Sequence, residues 1–238
     1  STPKPSSAAS DVYKRQKLAR MGDFPKNLKH FGHCDVLVGN LPGIAKRCSD
    51  LGWQRPAITI SNFTQVVKFK KVSRNTLNTP ASNFIITASG RFVPRKGFDV
   101  LIRAIAKLKN VTLWLMGKGQ ERQNLLDLAS ELDISDRVKF LGWVEAPIHY
   151  IKASDAFVMP SRHEPIGNAL LEAWQAKVPT VSTKSEGPTW YMRDKFDGIL
   201  TDIDDVEQMT LALQKLIEDC LLYTSDAADE GLGVDLGG

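Results

Sequence analysis

From Asn83 onward, the sequence alternates between short apolar runs and stretches whose apolar residues recur at helical spacing. The apolar runs have the length of strands that are buried on both faces, and the helical stretches are long enough to connect them. Repeated strand–helix units form a parallel sheet with right-handed crossovers and helices on both faces. The sequence therefore predicts an α/β fold built on a doubly wound parallel sheet.

The elements of this region can be placed along the chain. Strands are predicted at residues 84–89, 111–116, 138–144, 155–160, 178–182 and 198–200. Helices are predicted at residues 98–108, 121–132, 147–152 and 206–217, with a further helix after the 160–167 turn and a brief one from Gly187. Nearer the N-terminus, the pattern predicts strands at 34–39 and 57–60, a helix at 41–51, and a basic, loosely helical segment at 17–30.

The chain is divided into five segments. Residues 83–219 form the predicted doubly wound domain, residues 67–82 a polar linker, and residues 17–66 the last part of an N-terminal domain. Residues 1–16 and 220–238 are interpreted as non-native. Segments 6–16 and 220–230 can be encoded by reverse-complementary DNA resembling a transposon-end sequencing adapter, and such scars are left out of fold reasoning.

Composition narrows the classes of function. The 238 residues carry a formal charge of +4, which suits an anionic ligand or an acidic membrane surface, although most such excesses are only solvated surface. There is no Lys/Arg run of the nucleic-acid-binding type, and no apolar window of about 18 residues that could span a membrane. Outside the C-terminal adapter-like tail, Cys34 and Cys48 lack metal-ligand spacing, which favours a reducing compartment.

Three loops follow predicted strands, where a doubly wound sheet binds its ligand. The first, from Gly90 to Gly97, contains Arg91 and Lys96, and two cations beside a helix start suit a diphosphate. The alternative is a basic surface turn. The second contains Gly117 and Gly119, a pair that often marks only a tight turn.

The third loop follows the strand at 155–160 and leads into a helix. Glu164 and Glu172 flank the helix start, where carboxylates can accept hydroxyl hydrogen bonds and the backbone amides of 166–168 favour an anion. A nucleotide sugar carries both groups. Alternatively, Glu164 is an N-terminal helix charge and Glu172 a surface residue. His163 suits packing or hydrogen bonding better than a catalytic base, and the stretch has no metal-ligand set.

Taken together, these motifs resemble the retaining glycosyltransferases with the GT-B architecture, the group 1 or glycogen-synthase-like superfamily. Glu164 and Glu172, separated by seven residues, resemble its carboxylate signature, and the loop of Arg91 and Lys96 resembles its phosphate-binding loop. The resemblance runs from about Asp35 to Asp219. The turn at 165–168 departs from the family's common Gly-Phe-Gly-containing turn.

The resemblance implies a role for each matching position. Arg91 and Lys96 would hold the donor diphosphate, and Glu164 would position sugar hydroxyls; these three form the implied catalytic set. The implied donor-binding set adds contacts to ribose (Glu172), to the base near the end of the third strand (Val144), and to phosphate and sugar through backbone amides and glycine turns (Gly90, Gly117, Gly119, Ile166, Gly167 and Asn168).

The implied reaction transfers a sugar from a nucleotide sugar to a glycan or glycolipid acceptor hydroxyl, with retention, in cell-envelope glycan synthesis. The family needs no metal or other cofactor, and the resemblance implies no nucleic-acid partner. It implies a cytoplasmic enzyme that can contact the membrane peripherally through its N-terminal domain. Two alternatives stay open: a nucleotide-sugar epimerase of the same architecture, and a non-catalytic nucleotide-binding domain.

Overall fold

The computed structural model describes residues 16–63, 70 and 72–218 of the chain. The described residues separate into two compact units, and the division falls after Asn62. The predicted adapter-like segments lie outside the described residues, apart from the exposed Gln16.

The first unit is a small parallel sheet with one helix. Its strands are β1 (Leu18–Met21), β2 (Val36–Gly39) and β3 (Ala57–Thr59), in the order β1-β2-β3, and its helix is α1 (Pro42–Asp50). The loosely helical interpretation of 17–30 was wrong. Leu18–Met21 instead forms a strand that pairs in register with Val36–Gly39. Cross-strand hydrogen bonds satisfy its backbone, and the side chain of Arg20 stays exposed.

The second unit contains a six-stranded sheet in which every neighbouring pair is parallel. Its strand order is β6-β5-β4-β7-β8-β9. The strands are β4 (Phe84–Ser89), β5 (Val111–Met116), β6 (Val138–Gly142), β7 (Ala156–Met159), β8 (Thr180–Thr183) and β9 (Ile199–Thr201). The helices are α2 (Phe98–Ala106), α3 (Arg122–Glu131), α4 (Pro147–Ile151), α5 (Asn168–Gln175), α6 (Glu186–Tyr191) and α7 (Val206–Glu218).

Helices cover both faces of this sheet. On one face α2, α3 and α7 bury a cluster that includes Leu101, Leu128 and Leu213. On the other face α4 and α5 bury a second cluster that includes Ile151 and Trp174. The two apolar layers and the parallel strand order confirm the predicted doubly wound sheet.

Part of the predicted linker at 67–82 is packed into the second unit. Val72 and Leu77 lie on a cluster around the fully buried Trp114. The indole Nε1 of Trp114 donates to Thr79 Oγ1 at 2.9 Å, and Arg74 pairs with Asp155. The division between the units falls earlier, after Asn62. Residues 67–69 and 71 lie outside the described part of the chain.

The packing of Gly117 gives a test of the loop that follows β5. A Cβ at Gly117 would lie 1.9 Å from the carbonyl oxygen of Gly90, and its φ of 149° also disfavours a side chain. We expect Gly117→Ala to lower the free energy of unfolding by about 3–4 kcal/mol, measured by urea denaturation, because backbone must move.

Gly142→Ala is the matched control. Gly142 also has a positive φ, 72°, but the nearest atom to a Cβ there is Lys118 Cε at 3.9 Å. Its expected cost is only that of the left-handed conformation, about 1–2 kcal/mol. Equal losses for the two variants would show that the contact with Gly90 does not constrain this loop.

Candidate donor site

The strand order creates a crevice at one place in the second unit. β4 and β7 are neighbours in the sheet, yet the chain runs outward from β4 through β5 to β6 and outward from β7 through β8 to β9. The loops that follow β4 and β7 therefore diverge, and doubly wound sheets bind ligands in the crevice between two such loops. These are the loops at 90–97 and 160–167 that the sequence analysis singled out.

The glycines predicted to bind donor have a packing role in the structure. The amide of Gly90 donates to the carbonyl of Met116 at 3.0 Å, and the amide of Gly117 donates to that of Gly142 at 2.7 Å. A Cβ at Gly119 would lie 2.2 Å from the carbonyl oxygen of Phe92. The loops after β4, β5 and β6 therefore hold one another at the carboxyl end of the sheet, and only glycine fits their closest contacts.

The two diverging loops meet at a second glycine contact. Gly97 has a φ of 62° and immediately precedes the first residue of α2, and a Cβ there would lie 2.0 Å from the carbonyl oxygen of Pro160. Arg162 joins the same two loops, since its amide donates to the carbonyl of Arg95 at 2.8 Å. Its guanidinium binds both carboxylate oxygens of Asp99, at 2.9 and 2.7 Å.

Arg162 reaches a third loop as well. Its Nε donates to Asp204 Oδ1 at 2.6 Å, so the loop before α7 is joined to the loops after β4 and β7. Burial would raise the pKa of the Asp99 carboxyl, but the hydrogen bonds and charge of Arg162 outweigh it and lower that pKa. This arginine was not singled out in the sequence because its partners are distant along the chain.

Lys96 and Glu164 form an ion pair across the crevice. Lys96 ends a 3₁₀ turn, Pro94–Lys96, and its Nζ reaches Glu164 Oε2. The side chains are 17% and 13% exposed, so water screens the pair only partly. Ser161 Oγ donates to the same carboxylate oxygen at 3.2 Å. Two of the three predicted catalytic residues are thus in direct contact.

Arg91 lies apart from this pair. It is exposed two residues beyond the end of β4, and its side chain makes no hydrogen bond or ion pair with any residue that the structure describes. The structure therefore brings Lys96 and Glu164 together and leaves the Arg91 guanidinium available to an anion.

The backbone amides of residues 166–168, which were predicted to favour an anion, lie at the start of α5. Gly167 has a φ of 77° and precedes the first helical residue, Asn168, and a Cβ at Gly167 would lie 2.6 Å from Met159 Cε. Ile166 is 4% exposed, so it can offer a ligand only its backbone. The first N–H groups of a helix lack partners within the helix and favour an anion.

Glu172 and Val144 occupy different surroundings. Glu172 lies one turn into α5, and no described residue donates a hydrogen bond to its carboxylate. Burial alone raises the pKa of this carboxyl, so the charged form lacks compensation in the ligand-free protein. Val144, two residues beyond β6, is half-buried against the cluster of α4 and α5.

Comparison with known proteins identifies the family. The family model described as "Glycosyl transferases group 1" matches residues 69–227, more than half of the chain. This chain belongs to that family. The resemblance inferred from Glu164, Glu172 and the loop at 90–97 is thereby confirmed.

Two curated relatives from Rhizobium meliloti (strain 1021) are similar to this glycosyltransferase-family chain over most of its length. One, "Lipopolysaccharide core biosynthesis glycosyltransferase LpsE", is 48% identical over 87% of this chain and 61% of its own. The other, the corresponding LpsD, is 40% identical over 85% of this chain and 59% of its own. The chain therefore spans about three fifths of the length of these relatives.

Solved structures share the fold of this glycosyltransferase-family chain. The structure of Anabaena HepE in complex with UDP-glucose has a TM-score of 0.81 at 23% identity, covering 95% of this chain and 69% of that one. WaaG, a glycosyltransferase involved in lipopolysaccharide biosynthesis, has a TM-score of 0.72 at 22% identity, covering 84% and 59%. At such identities the likeness shows the fold alone.

The described residues offer neither a metal-binding cluster nor a membrane-spanning helix. Within 16–63, 70 and 72–218, no three His, Cys, Asp or Glu side chains are grouped so that they could hold a metal ion. In the same residues, no helix has the length and apolar character needed to span a bilayer.

The Lys96–Glu164 pair can be tested by a double-mutant cycle. Lys96→Met leaves a largely buried carboxylate without its cation, and we expect it to lower the free energy of unfolding by about 2–4 kcal/mol. Because Glu164→Gln removes the same interaction, the double variant should lose less than the sum, with a coupling of about 1–3 kcal/mol.

The exposed pair Lys107–Glu207 supplies the control cycle. Its side chains are 44% and 70% exposed, so Lys107→Met and Glu207→Gln should couple by less than about 1 kcal/mol. Urea denaturation of the seven proteins, the wild type with three variants for each pair, measures both cycles. A coupling for Lys96 and Glu164 no larger than that of the surface pair would contradict the buried ion pair.

Glu172 should make stability depend on pH. Because its pKa is raised in the folded protein, the unfolded chain releases this proton more readily, and stability falls as pH rises above the ordinary glutamate value. We expect Glu172→Gln to stabilise the ligand-free protein at pH 7, by on the order of 0.5 kcal/mol after screening, and to have no effect near pH 4. Thermal unfolding at both pH values measures this stabilisation, and Glu131→Gln at an exposed position is the control. A stabilisation by Glu172→Gln that is equal at pH 7 and pH 4 would refute the prediction.

Proposed function

We propose that this protein supplies the donor half of a retaining glycosyltransferase that transfers a sugar from a nucleotide sugar to an acceptor hydroxyl of the lipopolysaccharide core. The lipopolysaccharide part rests on the names of LpsE and LpsD. The donor part rests on one observation: Lys96, Glu164 and the start of α5 converge at the switch point of the sheet.

The proposed donor lies along the crevice with its diphosphate at the loop of Arg91 and Lys96. As the bond between the anomeric carbon and the diphosphate oxygen breaks, negative charge accumulates on the leaving diphosphate. Cations and amides placed around that group bind it more strongly as the charge grows, which lowers the barrier. Arg91, Lys96 and the amides of 166–168 would do the work that a divalent metal does in other transferases, so no metal or further cofactor is proposed.

The carboxylates bind hydroxyls in this proposal. Glu164 accepts hydrogen bonds from the donor sugar, and Glu172 accepts from the ribose, where hydroxyl donors would offset its desolvation. Val144 lies near the proposed base position, and Gly90, Gly117 and Gly119 set the loops around the donor. The new glycosidic bond forms on the face that the diphosphate leaves, and the acceptor proton passes to the departing phosphate or to solvent.

The acceptor is proposed to bind elsewhere, in the part that LpsE and LpsD carry outside the matched region. The proposed partners are therefore a nucleotide sugar and a glycan or glycolipid, with no nucleic acid. We also propose that the protein is cytoplasmic and that its N-terminal domain, which binds the acceptor in this proposal, contacts the membrane peripherally. Formation of an epimer of the donor sugar, or nucleotide binding without transfer in the full-length protein, would favour the two alternatives.

Nucleotide binding by the chain itself is the first test. We expect Arg91→Met to weaken UDP or GDP binding by about tenfold or more, because a charge-assisted contact with phosphate is lost. Arg103→Met removes the same charge from an exposed position in α2 and should change affinity by less than about twofold, since exposed distant charges are screened. Calorimetry measures both, and equal losses would show that the loop after β4 does not hold the diphosphate.

Transfer is the second test. We expect this chain alone not to transfer sugar, since the acceptor side is proposed to lie outside it. In a protein of the relatives' full length, Arg91→Ala and Lys96→Ala should each cost about 2–4 kcal/mol in kcat/KM through lost transition-state stabilisation. Anomeric proton NMR follows the product. Robust transfer by the chain alone, or losses under about threefold, would refute the assignment.

A further inference from the structure

The short helix α6 contacts the loop that carries Glu164. Glu186, its first residue, accepts a hydrogen bond from the amide of Glu164 at 3.1 Å. Gly187 donates its own amide to the carbonyl of Glu164 at 2.9 Å. Both polar groups of the Glu164 backbone are therefore bound to the first two residues of one helix, so α6 fixes the point from which the Glu164 side chain extends.

The helix also holds the turn that follows. The hydroxyl of Tyr191 donates to the carbonyl of Ile166. Burial and the charge of Glu164 raise the pKa of this phenol, so it stays a neutral donor. A Cβ at Gly187 would lie 2.6 Å from the carbonyl oxygen of Pro165, so α6 approaches the turn more closely than any residue but glycine allows.

Glu186 binds a second residue of the same loop. Its Oε1 lies 2.6 Å from Nδ1 of His163, while Oε2 accepts from Glu164. Burial opposes ionisation of Glu186, but its hydrogen bonds to backbone amides and His163 outweigh that cost and lower the pKa of the carboxyl. The charged carboxylate thus holds two consecutive residues of the loop.

We propose that Glu186 and Tyr191 are positioning residues of the donor site. Glu186 orients Glu164 towards the donor sugar, and Tyr191 orients the amides of 166–168 towards the diphosphate. Neither touches the donor. Glu186 acts through the amide of Glu164 and the ring of His163, and Tyr191 acts through the carbonyl of Ile166. This inference rests on the proposed donor-binding function, so its test needs one arm that is independent of any ligand.

The ligand-free arm measures hydrogen exchange of the Glu164 amide by NMR. Glu186→Ala removes its acceptor, and we expect exchange to speed up by about tenfold or more. Glu186→Gln keeps a carbonyl oxygen in place and should retain most of the protection. Glu131→Ala, at an exposed position of α3, is the control and should leave the Glu164 amide unchanged. Unaltered exchange in Glu186→Ala would overturn the positioning role.

The binding arm compares nucleotide sugars with their diphosphates: UDP-glucose with UDP, and GDP-mannose with GDP. We expect Glu186→Ala to weaken binding of the nucleotide sugar by about tenfold while changing the affinity for the diphosphate by less than about threefold. Glu186→Gln should recover the wild-type affinity for the nucleotide sugar. Tyr191→Phe should instead weaken both forms by a similar factor, because both carry the diphosphate.

The outcomes separate the two proposals. If the wild-type protein binds neither form of any nucleotide, the proposed function fails, while the exchange arm still decides whether Glu186 holds the loop. Suppose that the wild type binds nucleotide sugars but Glu186→Ala keeps its full affinity, or loses affinity for nucleotide sugars and diphosphates equally. The positioning role of Glu186 is then overturned, and the proposed function stands. If Tyr191→Phe binds like the wild type, its assignment is overturned.

Discussion

The ion pair between Lys96 and Glu164 is the interaction on which the candidate site depends. A carboxylate with 13% of its side chain exposed has lost most of its water, and the cost is several kcal/mol unless a cation and hydrogen bonds replace it. Lys96 and Ser161 supply both. The pair also couples the two parts of the proposed donor. A diphosphate that draws Lys96 away leaves Glu164 short of partners, and sugar hydroxyls would make up the difference.

The surrounding backbone allows that pair to form. Lys96 and Glu164 are in loops that leave adjacent strands in opposite directions, and the loops meet because Gly97 lies against Pro160 without a side chain. Arg162 adds charged hydrogen bonds to the same junction. On the far side, α6 holds the Glu164 backbone through Glu186 and Gly187. The site is thus built from loops that close backbone contacts and charged hydrogen bonds hold together.

Much of the fold could be predicted from the sequence because the sheet is parallel and buried. Strands such as β5, in which every residue is buried, leave a short, nearly continuous apolar run, and the alternation of such runs with helical stretches indicates a parallel sheet. The short edge strand β1 was missed, since its mixed basic and apolar residues carry no such pattern and its pairing with β2 is non-local. The described part of the predicted linker is polar in sequence, yet Thr79 is buried there, and its hydroxyl accepts a hydrogen bond from Trp114.

The candidate site could be predicted only in part. Lys96 and Glu164 were each identified, but they are 68 residues apart in the sequence, and they meet only because β4 and β7 are neighbours in the sheet. Glu186 and Tyr191 were missed because they act on backbone groups, and no motif spacing records such contacts.

A crystal structure of this chain with a nucleoside diphosphate would test the account most directly. We expect phosphate oxygens within hydrogen-bonding distance of Lys96 Nζ, the Arg91 guanidinium and the amides at the start of α5. A diphosphate bound elsewhere, with the Lys96–Glu164 pair undisturbed, would contradict it.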